Sequence, residues 1–467
     1  MKRKKLKMPD TMEKLVSLCK RKGFVFQSSE IYGGLNGCWD YGPLGVELLR
    51  NIKESWWREM TYRDDVEGID ASILMHPRTW EASGHVEGFN DPMVEDSKTN
   101  ERFRLDHLLE EVGVECSGMD FDAMAAKMTE LALKSPKGNA LTEPRQFNMM
   151  FKTHVGPVED TASVVYLRPE TAQGIFVNFL NVQQAMRQKL PFGIAQIGKA
   201  FRNEITTKNF LFRTREFEQM EMQFFVKPGE EDQWFDYWKE QRRNWFSTAL
   251  GIPDSRLRWH EHGAGELAHY ARKAYDVQYE FPFGWDEVEG IHNRGQFDLG
   301  QHEEFSNKQL KFFDEQAREK VLPSVIETSI GASRSTMMVL ANAYSEEGIK
   351  EGDTRVVMRF HPRIAPLKVA ILPLVKRDGM PDVARRIEAD LRPHLRVFYD
   401  EGGAIGRRYR RMDEVGTPFC LTVDSDTLED DTVTIRERDT MAQERIKIAD
   451  LLPEITARMA AWKHPES

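Results

Sequence analysis

The chain has 467 residues, 40% hydrophobic and 30% charged, with a net charge of 65 − 75 = −10. That is an ordinary globular balance on a chain long enough for about two to three domains, and it excludes wholesale disorder. The acidic total excludes a surface that is basic all over but not a local basic patch, because phosphate contacts answer to the local field.

The four cysteines (Cys19, Cys38, Cys116, Cys420) are scattered and no pair has CxxC spacing, so neither a disulfide framework nor a compact cysteine zinc site is expected. The longest apolar run, near Val369–Val375, is broken by Pro373 and cannot span a bilayer. The opening MKRKKLK lacks the apolar core of a secretory signal. A cytoplasmic setting without membrane contact is expected.

In chain order, Met12, Leu15, Val16 and Cys19 fall at helical spacing. So do Leu44, Leu48, Ile52 and Trp56, after the turn Tyr41-Gly42-Pro43. Adjacent Trp56 and Trp57 cannot share one helix face, so one of them needs a second contact, at a subunit interface or elsewhere in the chain. Residues from about 87 to 150 are acidic and irregular and read as an insertion. Tyr166–Leu190 reads as a strand end and then a helix, with Pro169 near its start and Pro191 beyond its end. A strand is predicted at Phe192–Glu204, a polar loop at 206–215 and a second strand at Phe217–Val226. In that strand Met220, Met222, Phe224 and Val226 alternate with Gln219, Glu221 and Gln223, which sorts apolar and polar groups onto opposite faces. The polar face, joined by Phe217, is either a wet sheet face or the floor of a ligand site. The stretch HPRIAPLK (361–368) reads as a linker. Beyond it strands are predicted at Lys368–Val375, Arg396–Asp400, Phe419–Val423 and Thr432–Arg438. Helices are predicted at Pro381–Leu391, Gly406–Val415 and Gln443–Trp462. This alternation implies a small α/β domain with a mixed sheet.

Three segments place an arginine at a strand end, in a hairpin loop or at a helix start. They are Phe201-Arg202-Asn203-Glu204, then Phe212-Arg213-Thr214-Arg215-Glu216-Phe217, then Glu327-Thr328-Ser329-Ile330-Gly331-Ala332-Ser333-Arg334. A guanidinium offers paired planar donors to phosphate and never loses its charge. Small residues such as Gly331 and Ala332 let a flat base approach the backbone. Neither a GxxxxGK[ST] loop nor a GxGxxG turn occurs. His260-Glu261-His262 lacks i, i+4 spacing, so a surface or packing role is expected. Structural or hydrogen-bonding roles are expected for His85 and His107. The Lys/Arg run at the N-terminus and Arg407, Arg408, Arg410 and Arg411 are either solvated charged faces or RNA contacts.

Here the text resembles a known family. FRNE followed by FRTREFEQME is similar to motif 2 of class II aminoacyl-tRNA synthetases, and GASR entering a helix is similar to their motif 3. The helix after Gly42 and the later Pro77 look like motif 1, the dimerisation element. From about residue 12 to 460 the chain resembles the homodimeric glycyl-tRNA synthetases. The strings that carry this are IYGGLNGCWDYGPLG, WEASGHVEGFNDP, RPETAQGIF, ELAHYARKAYD, FPFGWDEVEGI, ETSIGASR, DEVGTPF and VTIRERDT.

The resemblance implies an α+β fold: an antiparallel-sheet catalytic domain over 1–360, with insertions at about 87–150 and 227–285, and an anticodon-binding domain over 361–467. It implies ATP, glycine, tRNA(Gly) and a second copy of the chain as partners, with Mg2+ accompanying ATP. Arg202 would hold the α-phosphate and act catalytically with Arg334. Glu204 would meet the adenine amino group, with Phe217 beneath the base and Arg334 above it. Arg213 and Arg215 would reach the distal phosphates and the tRNA end. Asn203, Phe212, Thr214, Glu216, Val288, Gly331, Ala332 and Ser333 adjoin these in the ATP site, and Glu287 would ligate magnesium. Glu170, Glu221, Glu327 and Ser329 would surround glycine. Phe217, Glu218, Gln219, Met220, Thr328, Ile330 and Gly331 lie beside them in the sequence, and Arg104 and Arg294 are further candidates. Where many relatives carry a cysteine-rich zinc knuckle this chain reads DPMVEDSKTNERFRLDH, so no structural zinc is expected.

The chemistry agrees with this. Adenylation needs alignment and charge stabilisation at phosphorus rather than a catalytic proton relay. Glycine offers only its ammonium and carboxylate to grip. Alanine's extra methyl would gain at most about 0.8 kcal/mol by burial, so the pocket must reject it by contact. Carboxylates such as Glu327 are expected to form that wall. Two alternatives are another class IIa synthetase (threonine, proline, serine or histidine) and a non-catalytic, synthetase-like nucleic-acid-binding protein. The latter should lack Arg202, Arg213 and Arg334.

Overall fold

Apolar residues at helical spacing form α1 (Met8–Lys22) and α2 (Pro43–Thr61), as their pattern requires. Leu48, Ile52 and Trp56 are fully buried on one face of α2. The second contact of the tryptophan pair is within the chain: the Trp57 ring fills the space where a side chain on Gly68 would lie, 2.4 Å from that Cβ position. The coordinates are a computed structural model describing residues 8–116, 118–157, 163–207, 209–263, 267–268, 270–315, 318–350 and 353–464. The basic run before Met8 lies outside the described residues.

A seven-stranded sheet carries the first part of the chain. Its strands are β1 (Val66–Ile69), β2 (Phe192–Phe201), β3 (Glu216–Val226), β4 (Leu257–Glu261), β5 (Lys273–Phe281), β6 (Gly284–Gly295) and β7 (Ser324–Gly331). The spatial order is β4-β5-β6-β7-β3-β2-β1, antiparallel except where β1 runs parallel to β2. Helix α3 (Ala172–Val177) leads into the polar face, α4 (Glu231–Thr248) packs beneath β6 and β7, and α5 (Ala332–Ala343) follows β7. The period of two in β3 holds. Met220, Met222, Phe224 and Val226 enter one continuous core with Trp56, Trp238 and Leu340. Glu221 and Gln223 on the other face are also buried, so that face is the floor of a cavity rather than a wet surface.

The strand end expected at Tyr166 is present, and the helix expected after it is two helices, α3 and Phe179–Met186, parted at Asn178, whose side-chain amide donates back to the Gly174 carbonyl at 2.8 Å. The acidic segment forms a three-stranded sheet (Asn90–Glu95, Arg102–Arg104, Arg145–Asn148) with its own small core of Val94, Leu105, Leu108 and Leu109. Its tight turn is held by Asp96, which accepts from Ser135 Oγ at 2.6 Å and from the Lys98 and Thr99 amides.

The last part of the chain is a mixed five-stranded sheet: β8 (Val369–Pro373), β9 (Val397–Tyr399), β10 (Phe419–Val423), β11 (Thr432–Glu437) and β12 (Gln443–Lys447), in the order β9-β8-β10-β11-β12. The parallel pairs β8–β9 and β8–β10 lie on one side, and the antiparallel β11 and β12 complete it. Helices α6 (Met380–Leu391) and α7 (Ile405–Val415) connect the strands. The single helix expected over 443–462 is instead β12 followed by α8 (Leu451–Ala461). Strand β12 is an exposed sheet edge, which keeps its residues polar and hides the strand pattern.

Two other expectations are corrected. The stretch 361–368 is no exposed linker: Ile364 and Ala365 are buried in the main core, and Asn51 donates to both their carbonyls at 3.2 Å. A charged seam surrounds it, with Arg355 and Arg436 on Asp413 and Arg359 on Asp439. In the arginine cluster, Arg408 is buried and donates to the carbonyls of Pro373, Leu374 and Asp400. It holds the domain together, whereas Arg407 and Arg411 are exposed. Among the described residues no helix is long and apolar enough to cross a membrane.

Candidate active site

Strand pairing assembles the site. On the polar face Glu221 sits beside Ser329 and Gln223 beside Glu327 across β3 and β7. Glu327 sits beside His292, and Ser329 beside Gly290, across β7 and β6. Asp276 of β5 extends the row of Glu221, Ser329 and Gly290. Above these rows lies a cavity of about 320 Å³. A side chain at Gly290 would displace the His292 ring, since a Cβ there would come within 2.7 Å of it.

One end of the cavity is cationic. Arg202 leaves the end of β2, donates Nε to the Pro169 carbonyl at 3.1 Å, and lies 5.4 Å from the ring centres of both Phe89 and Phe217. Arg334, in the first turn of α5, meets Glu287 at 3.0 Å and lies 4.5 Å over Phe212. Arg202, Arg213, Phe217 and Arg334 all line this end. Burial opposes ionisation of Glu287, but the adjacent Arg334 outweighs it and holds that carboxyl below its ordinary range.

The other end is a nest of carboxylates, Glu170, Glu221 and Glu327. Glu327 accepts from Arg294 at 2.8 Å, Gln223 at 2.6 Å and His292 Nδ1 at 2.7 Å. Burial would raise it, but Arg294 and then His292 bring it down to about 2. Glu170 accepts from Gln173 at 2.9 Å and has His85 Nε2 3.5 Å away. Burial opposes its ionisation too, but His85 and Arg294 keep it low. Glu221 is different. Its partners are the Thr171 hydroxyl and the Gln223 amide, and burial, then Glu327 and Glu170, push it well above the carboxylate range.

Most of the candidates meet in this cavity: Glu170, Arg202, Glu204, Phe212, Arg213, Thr214, Phe217, Gln219, Glu221, Glu287, Glu327, Ser329, Gly331, Ser333 and Arg334. Others do not. Met220, Val288, Ile330 and Ala332 are in the apolar core, and Thr328 shares their side of the sheet. Glu218 is taken by Lys53 at 2.8 Å, and Glu216 by Lys199 at 2.8 Å. Asn203 is outside the wall, its backbone amide bound to the Met149 carbonyl. Arg215 ties the loop down through the carbonyls of Asn36 and Glu204. Arg104 is held by Asp91 and Asp106. Arg294 lies under Glu327, clamped also to Asp298 at 2.7 Å, and props the wall from behind.

Sequence reasoning missed His262, Tyr270, Asp276 and His292, which also line the cavity. His262 bonds Asp276 at 2.8 Å, which corrects the surface or packing role expected of it. The alternation of Asp276 with Val277 and Tyr279 in β5 was the available signal. His85 has the expected hydrogen-bonding role, with Ser83 Oγ at 2.8 Å, and its other nitrogen faces Glu170. Among the described residues no group of three or more His, Cys, Asp or Glu side chains is arranged to hold a metal ion.

Comparison with known proteins gives concordant results. The family described as "tRNA synthetase class II core domain (G, H, P, S and T)" matches residues 151–343, and "Anticodon binding domain" matches residues 368–458. The chain is 55% identical over 460 residues to a protein of Treponema denticola named glycine--tRNA ligase, covering 97% of this chain and 98% of that protein. It is 54% identical over 458 residues to the glycine--tRNA ligase of Borreliella burgdorferi, with the same shares covered. It is 51% identical over 462 residues to that of Chlorobaculum tepidum, covering 94% of this chain and 98% of the relative.

Proposed function

The chain belongs to the glycine--tRNA ligase family, and on that premise we propose that the cavity over β3, β6 and β7 is where glycine and ATP meet. Its activity is the joining of glycine to tRNA with ATP: glycyl-adenylate and pyrophosphate form first, and the glycyl group then passes to the terminal adenosine of tRNA(Gly). The observation that carries the site assignment is the polarity of the cavity, with Arg202 and Arg334 at one end and three carboxylates at the other.

In this reading the glycine ammonium enters the carboxylate nest and its carboxylate points toward the arginines. That carboxylate attacks the α-phosphorus, the bond to the β-phosphate oxygen breaks, and pyrophosphate leaves. Arg202 stabilises charge that builds up on the α-phosphate oxygens, where a preorganised donor gains most. Adenine lies between Phe217 and the Arg334 guanidinium, with Glu204 at its amino edge. The Glu287 carboxylate, 42% exposed as a side chain, is the group that would hold magnesium here, as oxygen ligands suit that ion. The ion would neutralise phosphate charge. Glycine-dependent exchange of pyrophosphate into ATP is the expected activity. Exchange that runs equally well with threonine, proline, serine or histidine would overturn the assignment.

We place the catalytic domain over 1–360, with its insertions at about 87–150 and 227–285, and the anticodon-binding domain over 361–467. The exposed Arg407 and Arg411 are its proposed RNA contacts. The cytoplasm is the proposed compartment, in keeping with four free cysteines. A homodimer is supported by an apolar patch near α2, in which Ile31 is 89% and Tyr32 87% exposed beside Leu35 and Phe26. Light scattering is expected to give twice the chain mass, falling to one chain mass in an Ile31→Lys, Tyr32→Glu variant. A monomeric parent would refute the dimer.

A further inference from the structure

Strand β6 does not run straight. From Lys273↔Asn293 to Val277↔Glu289 its pairing with β5 is regular, and then Gln278 pairs with Glu287, leaving Val288 as an extra residue. This is a β-bulge, and it reverses which face the following residues occupy. Because of it, Glu287, Gly290 and His292 all line the cavity, although alternation would separate Glu287 from the other two. Continued without the bulge, the register would set Glu287 opposite Tyr279, which is fully buried in the apolar core.

The first residue past the bulge is Glu289. Its side chain is fully buried on the opposite face, where Arg242 of α4 donates Nε to it at 2.6 Å. Arg242 is equally buried and lies 4.5 Å from the Trp245 ring centre. The pair is incompletely satisfied: among the described residues Arg242 Nη1 and Nη2 and Glu289 Oε2 have no hydrogen-bond partner. A buried ion pair of this kind is a poor source of stability, and a well-packed apolar pair of similar volume often matches or exceeds it. The pair therefore asks for a role other than stability, and the adjacent bulge supplies one.

We propose that Arg242 and Glu289 are positioning residues: their ion pair pins the bulge at Val288 and so aims Glu287 at the ATP end of the cavity. Neither touches substrate. The proposal rests on the reading of Glu287 given above, and the test separates the two. In the full-length enzyme the paired apolar change Arg242→Met, Glu289→Leu is expected to keep or raise the thermal midpoint. It is also expected to raise KM for ATP about tenfold, because a small misplacement of a positioned group is costly. The Mg2+ concentration for half-maximal pyrophosphate exchange should rise with it, while KM for glycine stays within about twofold. Hydrogen exchange at the Val288, Glu289 and Gly290 amides should accelerate. A folded double variant with the parent's ATP and Mg2+ dependence and the parent's amide exchange would overturn the proposal. If the double variant does not fold, Arg242→Lys takes its place: it keeps the charge but not the reach, and should raise KM for ATP a few-fold, an unchanged KM overturning the proposal. Glu287→Gln is the control. Should it leave ATP and Mg2+ dependence untouched while the double variant still loosens the bulge amides, the reading of Glu287 fails and the pinning of the bulge stands.

Discussion

Arg202→Ala is expected to lower the rate of glycine-dependent ATP–pyrophosphate exchange by about a thousandfold, the upper range for deleting one preorganised donor at a site of developing charge. The geometry makes this residue unusually clean to test. Among the described residues Arg202 forms no ion pair, and its side chain makes one hydrogen bond, from Nε to the Pro169 carbonyl. The guanidinium also packs 5.4 Å from the ring centres of both Phe89 and Phe217, so it is positioned before substrate arrives. Removing it leaves no buried carboxylate unpaired and need not disturb the fold. The loss should fall mostly on kcat, because the charge it meets is greatest in the transition state. Arg202→Lys should recover little of the rate, since a single ammonium does not reproduce the planar fork. Exchange within about tenfold of the parent in a folded Arg202→Ala protein would show that the α-phosphate is held elsewhere. Arg334→Ala is a less direct test, because it also strips Glu287 of its partner.

What was readable beforehand follows from which forces are local. The alternation in β3 is local and strong, so Met220, Met222 and Phe224 could be assigned to one face and Glu221 to the opposite, polar one, while only the resemblance made that polar face a site. Arg202 and Arg334 stand at a strand end and a helix start, positions that short motifs mark well. The neighbours missed on β5 and β6, Asp276 and His292, reach the cavity only because those strands pair with β7 in one register, and the bulge at Val288 decides part of that. A bulge leaves little trace in a single sequence. Long-range partners explain the misplaced candidates too: Arg104 and Arg294 carry the right charge, but Asp91, Asp106 and Asp298 already claim it. Strand β12 was read as helix because an exposed edge needs no apolar face. Residues 361–368 were read as a linker because two prolines and basic side chains resemble one until the core closes over Ile364. Arg408 was grouped with its exposed neighbours, although helical spacing turns it inward to three carbonyls.

Glu221→Gln is expected to raise KM for glycine by about two orders of magnitude, the cost of removing the counter-charge from a buried ammonium. The choice of Glu221 among three carboxylates follows from their partners. Both oxygens of Glu327 are engaged, one by His292 and the other by Arg294 and Gln223. Glu170 is already stabilised by His85 and Gln173. Among the described residues the donors to Glu221 are the neutral Thr171 and Gln223. Burial, and then the charges on Glu327 and Glu170, keep it protonated well above the usual carboxylate range. An arriving ammonium supplies the missing cation, favours the ionised form and releases a proton. Binding coupled to proton release strengthens as pH rises, so KM for glycine in the parent should fall with increasing pH through the raised titration of Glu221. That fall ends once Glu221 is ionised in the empty site or the ammonium itself begins to lose its proton. In Glu221→Gln the neutral amide cannot titrate, so KM should be high and lose this slope, while KM for ATP changes little. A variant that kept the parent's slope would assign the released proton to another group. A variant with the parent's KM at every pH would mean that glycine's ammonium lies outside the carboxylate nest.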